Sequence, residues 1–354
     1  MKPRLDVRFS FQSLWTYLFG KTSGREGEYY LNHNRTGLLL ALQALNMPKG
    51  SRVGMVVYDC ETVMAAIRQA GYEVVFIDVT DDFQLDLDDL HRKCKGLSAL
   101  VVTHLFGIPN SMEKIRTICG EMPLIEDCAH AWDSHFADGT RCGSKGDMAS
   151  WSVGQGKIPT IGDGGILKVN NPKYKSAVEK KYASLNGYSF FGETKLMLTL
   201  WFRSIIYKPF LYSLIIWKLK QNVTRPVTQY IDARKMSKGV LRIFCNECEK
   251  VAELVDKHKN VQQQWIETLG KDQRIKLPNR VLLNMSNGFM LPTLSEDRDV
   301  IIEEYRKKGI ELGRHFYQSI DWAKEFSYRD GNCPNAEKIR RQIVVFPTYY
   351  EIIS

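Results

Sequence analysis

Through residue 170 the chain alternates short apolar runs with amphipathic stretches. "LLLALQALNM" (38–47) has helical texture. "SRVGMVVYDC" (51–60) is an apolar run that closes on polar residues, which predicts a strand. "TVMAAIRQAG" (62–71) repeats apolar residues at helical spacing and ends on a glycine stop. "YEVVFIDV" (72–79), "LSALVVTHLFG" (97–107) and "PLIED" (123–127) read as strands, with a helix in "SMEKIRTICGEM" (111–122). "GDMASWSVG" (146–154) and "GGILKVN" (164–170) read as two more strands. Strands alternating with helices predict an α/β domain with a mostly parallel central sheet flanked by helices. Ligands of such sheets sit at the carboxyl ends of the strands. Asp59, Cys60, His104 and Asp127 all fall there.

From residue 196 the texture changes. "LMLTLWFRSIIYKPFLYSLIIWKLK" (196–220) is apolar and aromatic, but Arg203, Lys208 and Pro209 interrupt it. A spanning helix needs about 20 apolar residues in a row, so the segment reads as something else. Buried helices or a subunit interface are one reading. A peripheral membrane contact through Trp201, Phe202, Tyr207, Phe210 and Trp217 is the other. Beyond it, "CEKVAELVDKHKNVQQQWIETLG" (248–270) is a long amphipathic helix. "SNGFMLPTL" (286–294), "DVIIEEYRKKGIEL" (299–312) and "QIVVFPTYY" (342–350) suggest a smaller α+β domain. The expected division is a large domain over 1–240, with 196–220 as an apolar insert, and a small domain over 241–354.

Composition narrows this little. At 354 residues, 44% hydrophobic and 25% charged, the chain can build a sizeable core. Its net charge of +9 suits an anionic partner without choosing among a nucleotide, a phosphosugar, nucleic acid and an acidic lipid surface. The eight cysteines form no dense framework, and "MKPRLDVRFSFQSLW" has no apolar signal core, so reduced thiols in a cytoplasmic setting are expected. "CNEC" (245–248) is a lone C-x-x-C without a second ligand pair, which favours burial on a helix face over metal binding.

The chemistry concentrates in "WSVGQGKIPTIGDGG" (151–165), with five glycines around Lys157. A phosphate-binding NTPase loop needs G-x-x-x-x-G-K-[ST]. Here Trp151 stands at the first glycine and Ile158 at the Ser/Thr, so that reading fails. The other use of such a lysine is a Schiff base with pyridoxal phosphate (PLP). That cofactor needs an amine, a carboxylate for its ring nitrogen and donors for its phosphate. Lys157, Asp127 and Ser152 supply one of each, and the N–H groups of 154–156 could add to the last. The glycines then read as room for a flat ring.

The run "IEDCAHAWDSHFADGTRCGSKGDMASWSVGQGKIPTIGDGGIL" (125–167) resembles the core of the DegT/DnrJ/EryC1/StrS family of PLP-dependent sugar aminotransferases. The family pattern E-D-x-A-[QH]-A, G-x-x-G-D, S-x-x-x-x-K and G-G occurs here in order. "AAIRQAGYEVVFIDV", "THLFGIPNSMEKI", "GIELGRHF" and "CPNAEKIRRQIVVFPTYY" extend the likeness over most of the chain. The resemblance implies the fold-type-I architecture of PLP-dependent transferases and a homodimer with active sites at the interface. It implies amino transfer, with glutamate as donor, to a nucleotide-linked keto sugar in cell-surface polysaccharide synthesis, and no metal or nucleic-acid partner.

By position, the resemblance makes Lys157 the cofactor lysine and proton carrier. Asp127 becomes the partner of the ring nitrogen, His130 the contact of the ring hydroxyl and Ser152 a phosphate ligand. "HNRTGLLLAL" matches the family's early phosphate segment and adds Asn34, Arg35 and Thr36. A related branch that removes oxygen instead carries histidine at the lysine position, and Lys157 argues against it.

Three features depart from the pattern. Cys60 stands where the family places a ring-stacking aromatic, with Tyr58 two residues earlier as a substitute on the same strand face. The N-[YF]-R segment that reaches the neighbouring subunit's phosphate is not found. The chain also stops where relatives continue into one more helix. These departures motivate an alternative, a non-catalytic binding or membrane-associated scaffold.

Overall fold

The computed structural model describes residues 9–212 and 226–349. Seven strands form one sheet in the order β1-β7-β6-β5-β4-β2-β3. They are β1 (Glu28–Leu31), β2 (Arg52–Val56), β3 (Glu73–Ile77), β4 (Ala99–Thr103), β5 (Leu124–Asp127), β6 (Met148–Ser152) and β7 (Gly165–Val169). β3, β2, β4, β5 and β6 run parallel; β7 adds antiparallel to β6, and β1 pairs antiparallel with β7 at the edge and so runs in the same direction as the central five. The expected mostly parallel α/β sheet is therefore present. β4 and β5 are buried along their whole length, as the centre of a covered sheet should be, β4 as an apolar run and β5 including its acids Glu126 and Asp127.

Crossover helices α2 (Asn34–Ala44), α3 (Glu61–Gln69), α4 (Leu87–Lys93) and α5 (Met112–Cys119) cover the sheet. Two glycines set how closely α2 approaches. A Cβ on Gly37 would lie 2.2 Å from Ser150 Oγ on β6, and one on Gly165 would lie 2.3–2.5 Å from the His33 and Asn34 backbone. Both contacts bring the N-terminus of α2 down to the carboxyl end of the central strands.

The predicted apolar insert begins earlier than its hydropathy suggests. Helix α7 (Phe190–Ile206) lies beside α1 (Phe11–Phe19); Tyr17 donates to the Glu193 carboxylate at 2.8 Å and Ser204 Oγ to the Phe9 carbonyl at 3.2 Å. α7 buries Leu200 in a second apolar cluster with Tyr17, Val153, Ile161 and Val240. Trp217 lies outside the described residues. No helix among the described residues is long and apolar enough to cross a membrane.

In the C-terminal part, β8 (Met290–Leu294) pairs antiparallel with β9 (Ile343–Pro347), packed with helices Val251–Leu269, Arg298–Lys307 and Pro334–Gln342. The expected boundary at 240/241 falls inside the helix Lys238–Cys248. Asp78, just past β3, ties the two parts together by accepting from the Asn335 and Ala336 N–H groups at 2.9 and 2.8 Å. That carboxylate caps the first turn of a helix.

Candidate active site

Four polar residues form a row across the carboxyl ends of adjacent strands. Thr103 ends β4 and pairs with Asp127 at the end of β5, which pairs with Ser150 on β6. Asp59 follows β2 and accepts from Thr103 Oγ1 at 2.6 Å. Asp127 accepts from the Ala129 N–H at 2.9 Å and the Asn34 amide at 3.0 Å. Both carboxylates are buried. Burial, then the charge of Asp127, pushes Asp59 up to about 8. Burial also raises Asp127, against the pull of the Ala129 N–H, Asn34 and Lys157. Two acids out of water so close together disfavour double ionisation, and a nearby cation or N–H donor relieves them. Lys157 lies close enough to lower both.

Lys157 sits in a tight loop after β6. Its N–H donates to the Gly154 carbonyl at 3.2 Å, its own carbonyl accepts from Thr160 Oγ1, and Ile161 N–H returns to Val153 at 3.0 Å. Its ammonium lies 5.2 Å from the centroid of the Phe289 ring. The glycines after it serve backbone packing and leave no open slot for a ring, contrary to expectation. A Cβ on Gly162 would meet Leu200 of α7 at 2.6 Å, and one on Gly164 would meet Met236 and Val153 at 2.8 Å. His33 Nδ1, 2.9 Å from Asp163 Oδ1, fastens this loop to the start of α2.

His130 is buried between Phe289 and Phe316, with ring centroids 4.7 and 5.8 Å away and interplanar angles of 28° and 9°. Its Nδ1 accepts from the Phe106 N–H at 3.1 Å, which leaves the proton on Nε2. Burial, then Lys157 and His315, holds the imidazole well below its usual range, so it is neutral. Asn287 fixes the turn around it by donating to the His130 and Trp132 carbonyls at 2.9 and 2.8 Å. Phe106 and Phe316 both have positive φ, 56° and 54°, a conformation bulky residues rarely adopt and one that clusters at functional sites.

The other expected residues are placed variously. Thr36 is buried and gives its hydroxyl to Asn32 Oδ1 at 2.7 Å, so it turns into the core. Asn34 commits both ends of its amide, to Asp127 and, at 2.6 Å, to the Ser150 hydroxyl. Arg35 is half-buried in the same first turn. Ser152 Oγ accepts from the Gly154 N–H at 3.3 Å, at the entrance to the lysine loop. β2 stops at Val56, so strand alternation does not put Tyr58 and Cys60 on one face. Tyr58 is wholly buried, its hydroxyl on the His315 carbonyl. Cys60 precedes α3 with its thiol donating to Glu61 at 3.3 Å, and burial with Glu61 raises it to about 12, which makes it a thiol. The aromatic faces on His130 come instead from Phe289 and Phe316.

His104 is structural, although it falls at a strand end. Its Nδ1 accepts from the Asn110 N–H at 3.0 Å and its Nε2 donates to Glu126 at 2.9 Å. Glu126 also accepts from the Gly143, Lys145 and Gly146 N–H groups. Burial alone would raise Glu126, but His104 and these N–H groups outweigh it and hold the carboxyl low. Cys128 lies beside the pair, yet their acceptor positions are already filled, so the cluster is a structural tie and no metal centre.

The donor set fits PLP. Lys157 offers an amine, the Asp59–Asp127 pair takes a ring N–H, and His130 keeps an Nε2–H. Gln155 Nε2 is buried with no acceptor among the described residues, in the loop between Ser152 and Lys157. That orphaned donor suits an anionic group.

The sequence profile of the DegT/DnrJ/EryC1/StrS aminotransferase family matches residues 31–191. The chain is 31% identical to a dTDP-4-dehydro-2,3,6-trideoxy-D-glucose 4-aminotransferase of Saccharopolyspora spinosa, over 96% of this chain and 87% of that one. A GDP-perosamine synthase of Escherichia coli O157:H7 is 30% identical over 40% of each chain. Among solved structures, an aminotransferase from Streptoalloteichus hindustanus superposes with a TM-score of 0.76 at 20% identity, covering 99% of this chain and 94% of its own. A sugar aminotransferase from Micromonospora echinospora gives 0.76 at 18% identity, covering 100% and 96%.

Proposed function

The chain belongs to the DegT/DnrJ/EryC1/StrS aminotransferase family and is a PLP-dependent sugar aminotransferase, and from that premise we propose that it carries an amino group from glutamate to a nucleotide-linked keto sugar. The observation that carries the reading is the buried Asp59–Asp127 pair at the carboxyl ends of the parallel strands, with half-buried Lys157 near enough for its charge to favour the ionised form of both. A scaffold that binds without catalysis has no use for that desolvated set, and the family relationship does not favour it.

Bound PLP supplies an aldehyde and an electron-accepting ring, the chemistry that amino transfer requires. Lys157 Nζ would hold the cofactor at its aldehyde and would carry a proton to and from the substrate carbon. Asp127 would keep the ring nitrogen protonated, with Asn34 holding the carboxylate in place. His130 would donate from Nε2 to the ring hydroxyl. Ser152, Gln155 and the N-terminus of α2, with Arg35, would hold the phosphate. Phe289, His315 and Phe316 would keep water from the ring, so that residues of 1–240 would hold the cofactor and residues of 241–354 would cover it. A homodimer and a role in cell-surface polysaccharide synthesis complete the proposal. The net charge of +9 suits a diphosphate-linked substrate.

The test is spectroscopic and then chemical. Purified protein with saturating PLP should gain a visible absorption band that shifts on adding glutamate, and Lys157→Ala should lack the band while its circular dichroism stays native. A panel of nucleotide-linked ketosugars then identifies the acceptor. Wild-type protein without a band under saturating PLP would sink the proposal.

A further inference from the structure

Two neighbouring helices turn large apolar side chains away from the core. On α1, Phe11, Trp15 and Leu18 follow helical spacing and are 82%, 62% and 44% exposed, while Tyr17 faces inward. On α7, Phe191, Leu198 and Phe202 recur at spacings of seven and four on the side away from buried Leu200, and Phe191 is 82% exposed. The two helices are joined at both ends by the Tyr17–Glu193 and Ser204–Phe9 hydrogen bonds, so their outer faces are adjacent. An ordinary surface helix shows the opposite pattern, polar outward. Large apolar side chains grouped on a water-exposed surface mark an interaction site.

The charges around it are of one sign. Among the described residues 190–212 the basic side chains are Lys195, Arg203 and Lys208, against one acid, Glu193. That acid is turned inward, accepting from Tyr17, Ser237 and the Lys238 N–H. On the other side, residues 9–25 have Lys21 and Arg25 and no acid. Lys21, Lys195, Arg203 and Lys208 are all exposed.

We propose that the paired outer faces of α1 and α7 lie flat on an anionic lipid bilayer, with the aromatic side chains in the headgroup boundary and the basic rim on acidic headgroups. Aromatic and aliphatic anchors with flanking Lys/Arg are what interfacial helices use. Each basic side chain near an acidic leaflet adds attraction, and the set falls off with salt. A second copy of the chain is the poorer occupant, because a two-fold contact would set one basic rim against another. The helix that carries this face also packs Leu200 on Gly162 of the lysine loop. Membrane contact would thus seat the active-site loop next to the bilayer. The inference does not depend on the sugar acceptor.

Flotation of the full-length, PLP-loaded protein with vesicles of phosphatidylcholine, with and without phosphatidylglycerol, tests it. Binding is expected with phosphatidylglycerol, with a blue shift of tryptophan emission and loss in high salt. Phe191→Ser/Leu198→Ser/Phe202→Ser, Phe11→Ser/Trp15→Ser and, separately, Lys195→Glu/Arg203→Glu should each weaken binding on the order of tenfold or more. The visible PLP band in the same samples reports an intact fold and reads independently of flotation. Wild-type protein that stays with neither vesicle, or variants that float as well as wild type, would overturn the proposal. So would variants whose mass in light scattering falls while flotation is unchanged, since a second copy would then cover the face.

Discussion

Asn34, in the first turn of α2, donates its side-chain amide to Asp127, the last residue of β5, at 3.0 Å. Ser150 Oγ, 2.6 Å from Asn34 Oδ1, fixes which end of the amide faces the acid. The ionised form of Asp127 is the one that would hold a protonated ring nitrogen, and Asn34 favours that form. Asn34→Ala should therefore weaken PLP binding about 5- to 30-fold, equivalent to about 1–2 kcal/mol for one buried hydrogen bond to a charged group. Asn34→Asp should be worse, because it sets a third carboxylate beside two. Titration of apoprotein with PLP, followed by the visible band, measures both. Equal affinity in Asn34→Ala would mean that the contact serves packing alone.

The Asp59–Asp127 pair makes apoprotein stability depend on pH. Asp59 has its folded-state pKa raised above the unfolded value, to about 8, so the folded protein holds a proton that the unfolded chain has released. Such a contribution is fully present below about pH 4 and is lost as pH rises toward 8. Urea unfolding of the apoprotein should show this component falling with pH, by at most about 1.4 kcal/mol per pH unit for one proton. Asp59→Asn should flatten it. An unchanged slope in that variant would place the proton elsewhere.

The central strands and the crossover helices α2, α3 and α5 were legible because each has its own local pattern, a short apolar run or a helical repeat, whereas the polar α4 was not. β1 was not, since "EYYL" is four residues among turn formers. The reversal of β7 between β6 and β1 is a matter of long-range order that no local pattern encodes. Lys157 and Asp127 were candidates by residue type and position, and His130 by the family resemblance. The partner of Asn34 was hidden, because it depends on how closely Gly37 lets α2 approach β6. Cys60 and Tyr58 misled because the strand ends at Val56, before alternation can apply. Asn287, Phe289 and Phe316 arrive from far along the chain, and in sequence they look like ordinary core and turn residues. "SNGF" and "GRHF", polar residues breaking apolar segments, were the available signals.

The buried His104–Glu126 pair is a stability element with no part in the chemistry. Glu126 gathers three backbone N–H groups from 143–146 as well as His104. Removing one partner of a buried pair leaves the other uncompensated, so Glu126→Ala should cost about 3–5 kcal/mol. Folded, PLP-loaded Glu126→Gln should keep kcat close to wild type while its Tm drops. A kcat collapse in protein that remains folded would show that the pair acts on the reaction.

His130 should act as a neutral donor, a role glutamine can share. Burial, Lys157 and His315 keep the ring uncharged across the working range, and the Phe106 N–H occupies Nδ1. A glutamine amide can likewise offer one N–H, and the family pattern admits either residue at this position. His130→Gln should keep much of the PLP affinity and leave the pH profile of kcat unchanged between about pH 6 and 8, because no imidazolium titrates there. His130→Ala should lose the donor and the filler between Phe289 and Phe316 together, and fall further in both PLP affinity and Tm. If wild type shows an acid limb near pH 6.5 that vanishes in His130→Gln, the imidazole titrates in the working enzyme. The neutral-donor assignment would then be wrong.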